Sequence, residues 1–239
     1  MNSQRLLERL TACDIPVDAK ACDLICQYHG LLTQWNEKMD LTNVIDPEEA
    51  MDRHYADSLL PLTRRELFPE NAGLIDVGTG AGFPGLPLAI ARPDLRVTLL
   101  DAQQKRVNFL QAVIDTLRLP NVKAIHARAE DGARLPDLRE RFDLAVARAV
   151  AAAPVLLEYL LPFVKCGGKA LMWKGPGVRD ELSQAANAAR KLGGCLGEAL
   201  PMALPGTDWE HLLIPCDKIE KTLRQFPRKA GTPTKKPLG

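Results

Sequence analysis

Four glycines between two apolar runs, each ending in an acid, constrain this chain more than any other feature. Residues 74–85 read Leu-Ile-Asp-Val-Gly-Thr-Gly-Ala-Gly-Phe-Pro-Gly, and residues 97–101 read Val-Thr-Leu-Leu-Asp. Leu74 and Ile75 form a strand that runs into Asp76, and Gly78, Gly80, Gly82 and Gly85 mark a turn. A helix opens next, with Pro87 in its first turn, where a missing N–H costs little. Val97 to Leu100 form a second strand ending in Asp101. A strand–loop–helix–strand unit of this kind holds a nucleoside-containing cofactor. Its glycines let the backbone approach the ligand, and the acid after the second strand accepts hydrogen bonds from ribose hydroxyls.

The loop discriminates between cofactors. The dinucleotide fingerprint G-x-G-x-x-G ends in a glycine that lets the helix pack closely. Here Phe83 stands in that place, adding bulk where a pyrophosphate needs room. Asp76 puts a carboxylate just before the turn, which repels pyrophosphate and suits a cationic amino-acid group. S-Adenosylmethionine carries such a group and no phosphate. The expected site is therefore of the methyltransferase type, with Asp76 orienting the amino group, Gly78 and Gly80 giving backbone access, and Asp101 holding the ribose.

Apolar spacing predicts helices over residues 3–12, 18–35, 103–117, 153–164 and 178–192, and one opening at Pro47. Strands are expected from about residue 73, then at 122–127, 143–149, 169–174, 195–203 and 210–217. Strand–helix alternation implies a parallel sheet with right-handed crossovers, and two closing strands without a helix imply an antiparallel edge. The expected class is α/β: a Rossmann-like methyltransferase fold with a mostly parallel seven-stranded sheet. Residues 1–66 would form a helical extension packed on the core, 67–218 the core, and 219–239 a basic tail. Ligands in such sheets sit beyond the C-terminal strand ends. Gly78, Asp101, Glu130 and Arg148 all fall there and can share one pocket.

Composition excludes several alternatives. A chain of 239 residues with 46% hydrophobic content buries one good core. The six cysteines form no C-x-x-C pair and the four histidines are scattered, so no metal site is expected. No leader or long apolar run appears, so a cytoplasmic chain with reduced thiols and no membrane contact is the default. From Lys218 onward there are seven Lys or Arg and one acid, a local charge of +6 on a chain of net +1. The remaining residues thus carry −5. Such a tail is either simply solvated or contacts a polyanion.

Further segments fit one family. They are Trp35-Asn36 through Leu41-Thr42-Asn43, Arg53-His54-Tyr55-Ala56-Asp57-Ser58-Leu59, Arg148-Ala149-Val150, Trp173-Lys174-Gly175, and Phe226-Pro227-Arg228-Lys229-Ala230-Gly231-Thr232-Pro233. With the glycine loop they resemble the ribosomal RNA small subunit methyltransferase G family, also called glucose-inhibited division protein B, from about residue 30 to the end. The resemblance implies methylation of guanine N7 at position 527 (standard ribosomal numbering) of bacterial 16S rRNA, with S-adenosylmethionine as cofactor. The partner would be 16S rRNA, the small ribosomal subunit or its assembly intermediate, and the chain is expected to be a monomer. Gly78, Phe83, Ala129, Glu130 and Arg148 match the family's cofactor-contacting positions.

Guanine N7 has an in-plane lone pair and needs no deprotonation, so no catalytic acid or base is expected. Arg148 is either a charged group at the cofactor–substrate junction or an ion pair at a strand end. Lys174, Arg228, Lys229, Lys235 and Lys236 are candidate phosphate contacts. Arg53 and His54 join them, with His54 as readily packed as functional. Two rivals are a small-molecule methyltransferase, which would turn over without RNA, and a non-catalytic RNA-binding assembly factor, whose RNA affinity would ignore the cofactor.

Overall fold

The computed structural model describes residues 1–148 and 150–239. Helix α1 (Ser3–Thr11) is capped by Asn2, whose side chain accepts the Arg5 N–H, and α2 (Ala19–Asn36) by Asp18, which accepts the Ala21 N–H. Both side chains satisfy donors that the first helical turn leaves unpaired. Pro47 opens α3 (Pro47–Ala50), which runs through a π-helical turn (Met51–Ala56) into α4 (Asp57–Leu59). Such turns concentrate at functional sites.

Strands and helices then alternate: β1 (Gly73–Val77), α5 (Gly85–Ala91), β2 (Arg96–Asp101), α6 (Gln104–Leu117) and β3 (Val122–His126). Next come α7 (Ala129–Gly132), β4 (Phe142–Arg148), α8 (Ala153–Leu160), β5 (Val164–Lys174) and α9 (Leu182–Lys191). Three strands, β6 (Gly194–Leu196), β7 (Leu200–Ala203) and β8 (Glu210–Lys218), and a short α10 (Thr232–Lys235) close the chain. Ala149, expected to end the fourth strand, lies outside the described residues.

The sheet runs β3-β2-β1-β4-β5-β8-β6, with β7 also on β8. The first five strands are parallel, and β8 is antiparallel to β5, β6 and β7. The sheet therefore has the seven positions expected, but the last is shared by two short strands rather than one strand over 195–203. The cause is local. Between the pairs Leu196↔Cys216 and Leu200↔Leu213, three residues of one chain face only two of β8. One of those two is Pro215, which has no N–H to donate, so the ladder breaks at a bulge. β5 also starts earlier than expected, at Val164, because its ladder with β4 resumes at Leu144↔Lys169 after an irregular stretch.

Strict alternation splits the core across the sheet. Leu74, Leu144, Val146, Leu171, Trp173 and Leu213 face the N-terminal helices, α5 and α6. Ile75, Val77, Ala145, Ala147, Met172 and Ile214 face α8 and α9. The N-terminal helices are thus part of the core, and their long apolar side chains each contribute about 1.5–3 kcal/mol by burial.

Candidate functional site

The glycine loop leaves β1 through Gly78, whose φ is +73°. A Cβ there would lie 3.0 Å from Val150 Cγ2, so this position needs glycine for both conformation and space. Asp76 is fully buried. Its Oδ2 accepts the Thr79 hydroxyl at 2.6 Å and the Gly85 N–H at 2.8 Å, while Oδ1 has no partner. Burial pushes its carboxyl up to about 7, against the pull of those two hydrogen bonds. Asp101 accepts the Gly80 N–H at 2.9 Å on one oxygen and the Gln103 N–H at 2.8 Å on the other. The two acids therefore shape the loop.

Support comes from the N-terminal layer. The Tyr28 hydroxyl donates to the Ala81 carbonyl, and the buried Phe83 ring lies 5.6 Å from Tyr28 and 4.4 Å from His54, stacked on the latter. His54 Nε2 lies 2.9 Å from Thr42 Oγ1 and 3.1 Å from the Val44 carbonyl. Burial, helped by the nearby Arg148 charge, lowers its pKa to about 4. His54 is thus an uncharged packing residue at neutral pH, which does not suit it to the phosphate contact considered for it.

Two cavities flank the end of β4. The smaller, about 210 Å³, lies at the strand ends and is lined by Gly78, Ala129, Glu130, Val150 and Tyr159, with Gly231 and Thr234 from the C-terminal segment. Glu130 is buried, and its Oε1 accepts the Gly231 N–H at 2.9 Å. The C-terminal segment is not a free arm. The Arg228 guanidinium meets fully buried Glu158 at 2.6 Å, and the Arg228 N–H donates to the same carboxylate at 2.7 Å. Arg228 is therefore occupied by an internal partner, whereas Lys229, Lys235 and Lys236 are exposed.

The larger cavity, about 550 Å³, is lined by Arg53, Asp57, Arg148, Lys174, Trp209 and His211, among others. Arg148 donates to Asp57 Oδ2 at 2.7 Å and to the Arg53 carbonyl at 3.0 Å, and its guanidinium sits 5.0 Å over the Phe83 ring. His211 Nδ1 is 2.5 Å from Asp57 Oδ1. That hydrogen bond raises the His211 pKa. For Asp57, burial works upward but is outweighed by His211 and Arg148, leaving its carboxyl below the usual range. Arg53 is exposed and lies 4.9 Å over the Trp209 ring, which stacks on His211 at 5.8 Å. Lys174 donates to the Ala151 carbonyl at 3.0 Å and approaches Glu181 at 3.3 Å, so it is less available than expected. Asp57, Trp209 and His211 were assigned no role from sequence. Asp57 stood inside a motif already singled out; the other two had no local signal.

A family profile described as rRNA small subunit methyltransferase G matches residues 21–198. The chain belongs to that family. It is 50% identical over 211 residues to the ribosomal RNA small subunit methyltransferase G of Clostridium perfringens strain 13, covering 88% of each chain. It is 44% identical to the Leuconostoc mesenteroides protein of the same name over the full length of both. The fold is shared with M. jannaschii TYW2 solved with AdoMet, at a TM-score of 0.51 and 19% identity over 67% of this chain and 77% of that one. As a member of the methyltransferase G family the protein is an S-adenosylmethionine-dependent methyltransferase. Its residues fit that cofactor: a buried, unpartnered carboxylate oxygen on Asp76, a glycine without room for a side chain, and a cavity walled by Glu130 at the strand ends.

Proposed function

We propose that this chain methylates N7 of one guanine, position 527 in standard ribosomal numbering, in bacterial 16S rRNA. The observation that carries this reading is the pair of cavities around the end of β4. Val150 lines the smaller and Arg148, two residues earlier, lines the larger. A cofactor and a separate nucleobase can therefore meet at one strand end.

The bound cofactor supplies a methyl group activated by a sulfonium. Gly78 and Gly80 admit its methionine half to the backbone, and Asp76 orients the amino group through Oδ1. Asp101 holds the ribose, and the Ala129 backbone and Glu130 hold the adenine. Phe83 carries Arg148 on its face and so aligns the junction.

The chain's contribution to rate is alignment within a fixed polar frame, since N7 needs no base. An arginine fork on O6 and N7, the usual guanine contact, would block the nucleophile. The base must be recognised elsewhere, from an unstacked position. Trp209 and His211 give it a stacking surface. Asp57, with acceptor capacity beyond its two present partners, suits guanine N1–H and N2–H. Lys229, Lys235 and Lys236 are exposed cations suited to phosphates, and Arg53, though it meets Glu49 at 2.8 Å, is a fourth at the larger cavity.

The test is methyl transfer from labelled S-adenosylmethionine to 16S rRNA in small subunits from cells lacking this protein. The product is mapped by cleavage at N7-methylguanine. Label at a single guanine in the decoding-region loop is expected. Label elsewhere, or none with cofactor bound, overturns the assignment.

A further inference from the structure

Resting on the S-adenosylmethionine reading, we propose that residues 228–234 are a wall of the cofactor's nucleoside pocket, seated there before any RNA arrives. A basic C-terminal run reads as an RNA arm, and its exposed lysines remain suited to that. The backbone that carries them is committed to something else.

Three attachments fix its course. Arg228 is tied by side chain and backbone N–H to Glu158, which is 0% exposed. The Gly231 N–H donates to Glu130, the carboxylate at the nucleoside end of the site. Thr234 Oγ1 lies 3.0 Å from the Tyr159 hydroxyl. Glu158 and Tyr159 are neighbours on α8, so one helix anchors the segment on both sides of Gly231. Gly231 has a φ of +80°, the conformation that turns the chain toward Glu130. Pro233 is buried and Thr234 reaches the cavity lining.

A segment that lines a pocket and holds one of its acids must gain protection when the pocket fills, and must weaken binding when replaced, because the two effects are the same linkage. The contacts lie at the nucleoside end. Loss should therefore fall equally on the whole cofactor and on its nucleoside half.

The experiment replaces Thr232–Gly239 by a Gly/Ser stretch of equal length. This keeps the Arg228–Glu158 pair and places no new terminal carboxylate beside Glu130. Titration calorimetry is run with S-adenosylmethionine and with 5′-methylthioadenosine. Both ligands should bind about tenfold more weakly than to the full chain, by a common factor, with the ligand-free melting temperature within about 3 °C. Unchanged affinity for both overturns the proposal while leaving the cofactor reading intact. Failure of the full chain to bind either ligand removes the cofactor reading and the wall with it. Independently of any variant, backbone amides at 231, 232, 234 and 235 of the full chain should exchange about tenfold more slowly with S-adenosylmethionine present. Unaltered exchange there also overturns the proposal.

Discussion

The Arg148 guanidinium meets the Asp57 carboxylate at 2.7 Å, across 91 residues of sequence, with side chains only 16% and 6% exposed. The contact joins the end of β4 to the first residue of α4, so it ties the N-terminal layer to the sheet beside both cavities. Removing Arg148 takes the permanent cation from a buried carboxylate and leaves it the His211 contact. Arg148→Met should lower stability by about 3 kcal/mol. Asp57→Asn should also destabilise, and the double variant should cost clearly less than the sum of the two. Urea unfolding of the four proteins measures the coupling. Additive losses would mean that the pair does not act as a unit.

Asp76 gives a pH dependence whose sign can be worked out. Burial raises its folded pKa to about 7, above the ordinary carboxylate value. Between those values the folded chain binds a proton that the unfolded chain has released, so this group's contribution falls as pH rises through the window. Asp76→Asn removes the titration. The variant should gain on the parent from about pH 4 to pH 7 and hold a constant advantage above, with about 4 kcal/mol as the ceiling. Urea melts of cofactor-free protein at both ends of the window give the difference. An advantage that does not grow with pH would show that Asp76 is ionised at little cost in the fold.

The residues proposed to hold the cofactor could be named from sequence because they are local. Asp76 lies near the end of β1, Asp101 closes β2, and the glycines and Glu130 come after β1 and β3, so strand periodicity places them at one end of the sheet. The pocket proposed for the base was not legible as a unit, although Arg148 was named. Asp57, Arg148 and His211 come from an N-terminal helix, β4 and β8, and only the sheet order sets them side by side. The tail misled for a different reason. Arg228 and Lys229 look alike in sequence, but Arg228 alone faces a buried acid. The available signal was Glu158, an acid inside the apolar run Val-Leu-Leu-Glu-Tyr-Leu-Leu, which must find a partner if it is buried. The break between β6 and β7 was similarly hidden, because a bulge depends on register across two strands.

Trp209 and His211 should separate substrate from cofactor. Stacking of a base on an aromatic side chain is worth about 1–3 kcal/mol. Trp209→Ala should reduce kcat/KM for RNA by about tenfold or more, with S-adenosylmethionine affinity unchanged by calorimetry. The ring lies in the larger cavity and lines none of the smaller one. Equal losses of cofactor affinity and RNA turnover would mean that it supports the fold instead of the base.

The basic segment divides into two kinds of cation, and substitution should tell them apart. Lys229, Lys235 and Lys236 are exposed, and removing a cation that neutralises a phosphate should flatten the salt dependence of RNA binding. Replacing all three by Ala should lower the slope of log affinity against log salt by about 2 units, with thermal stability preserved. Arg228→Ala should do the reverse. It leaves Glu158 buried without its guanidinium, so unfolding should become easier by about 3 kcal/mol, while the salt slope changes by less than in the triple-lysine variant. Filter binding across a salt series, paired with urea unfolding of the same proteins, reads both quantities. A triple-lysine variant with the parent's slope would mean that the tail serves the cofactor pocket and leaves RNA to other surfaces.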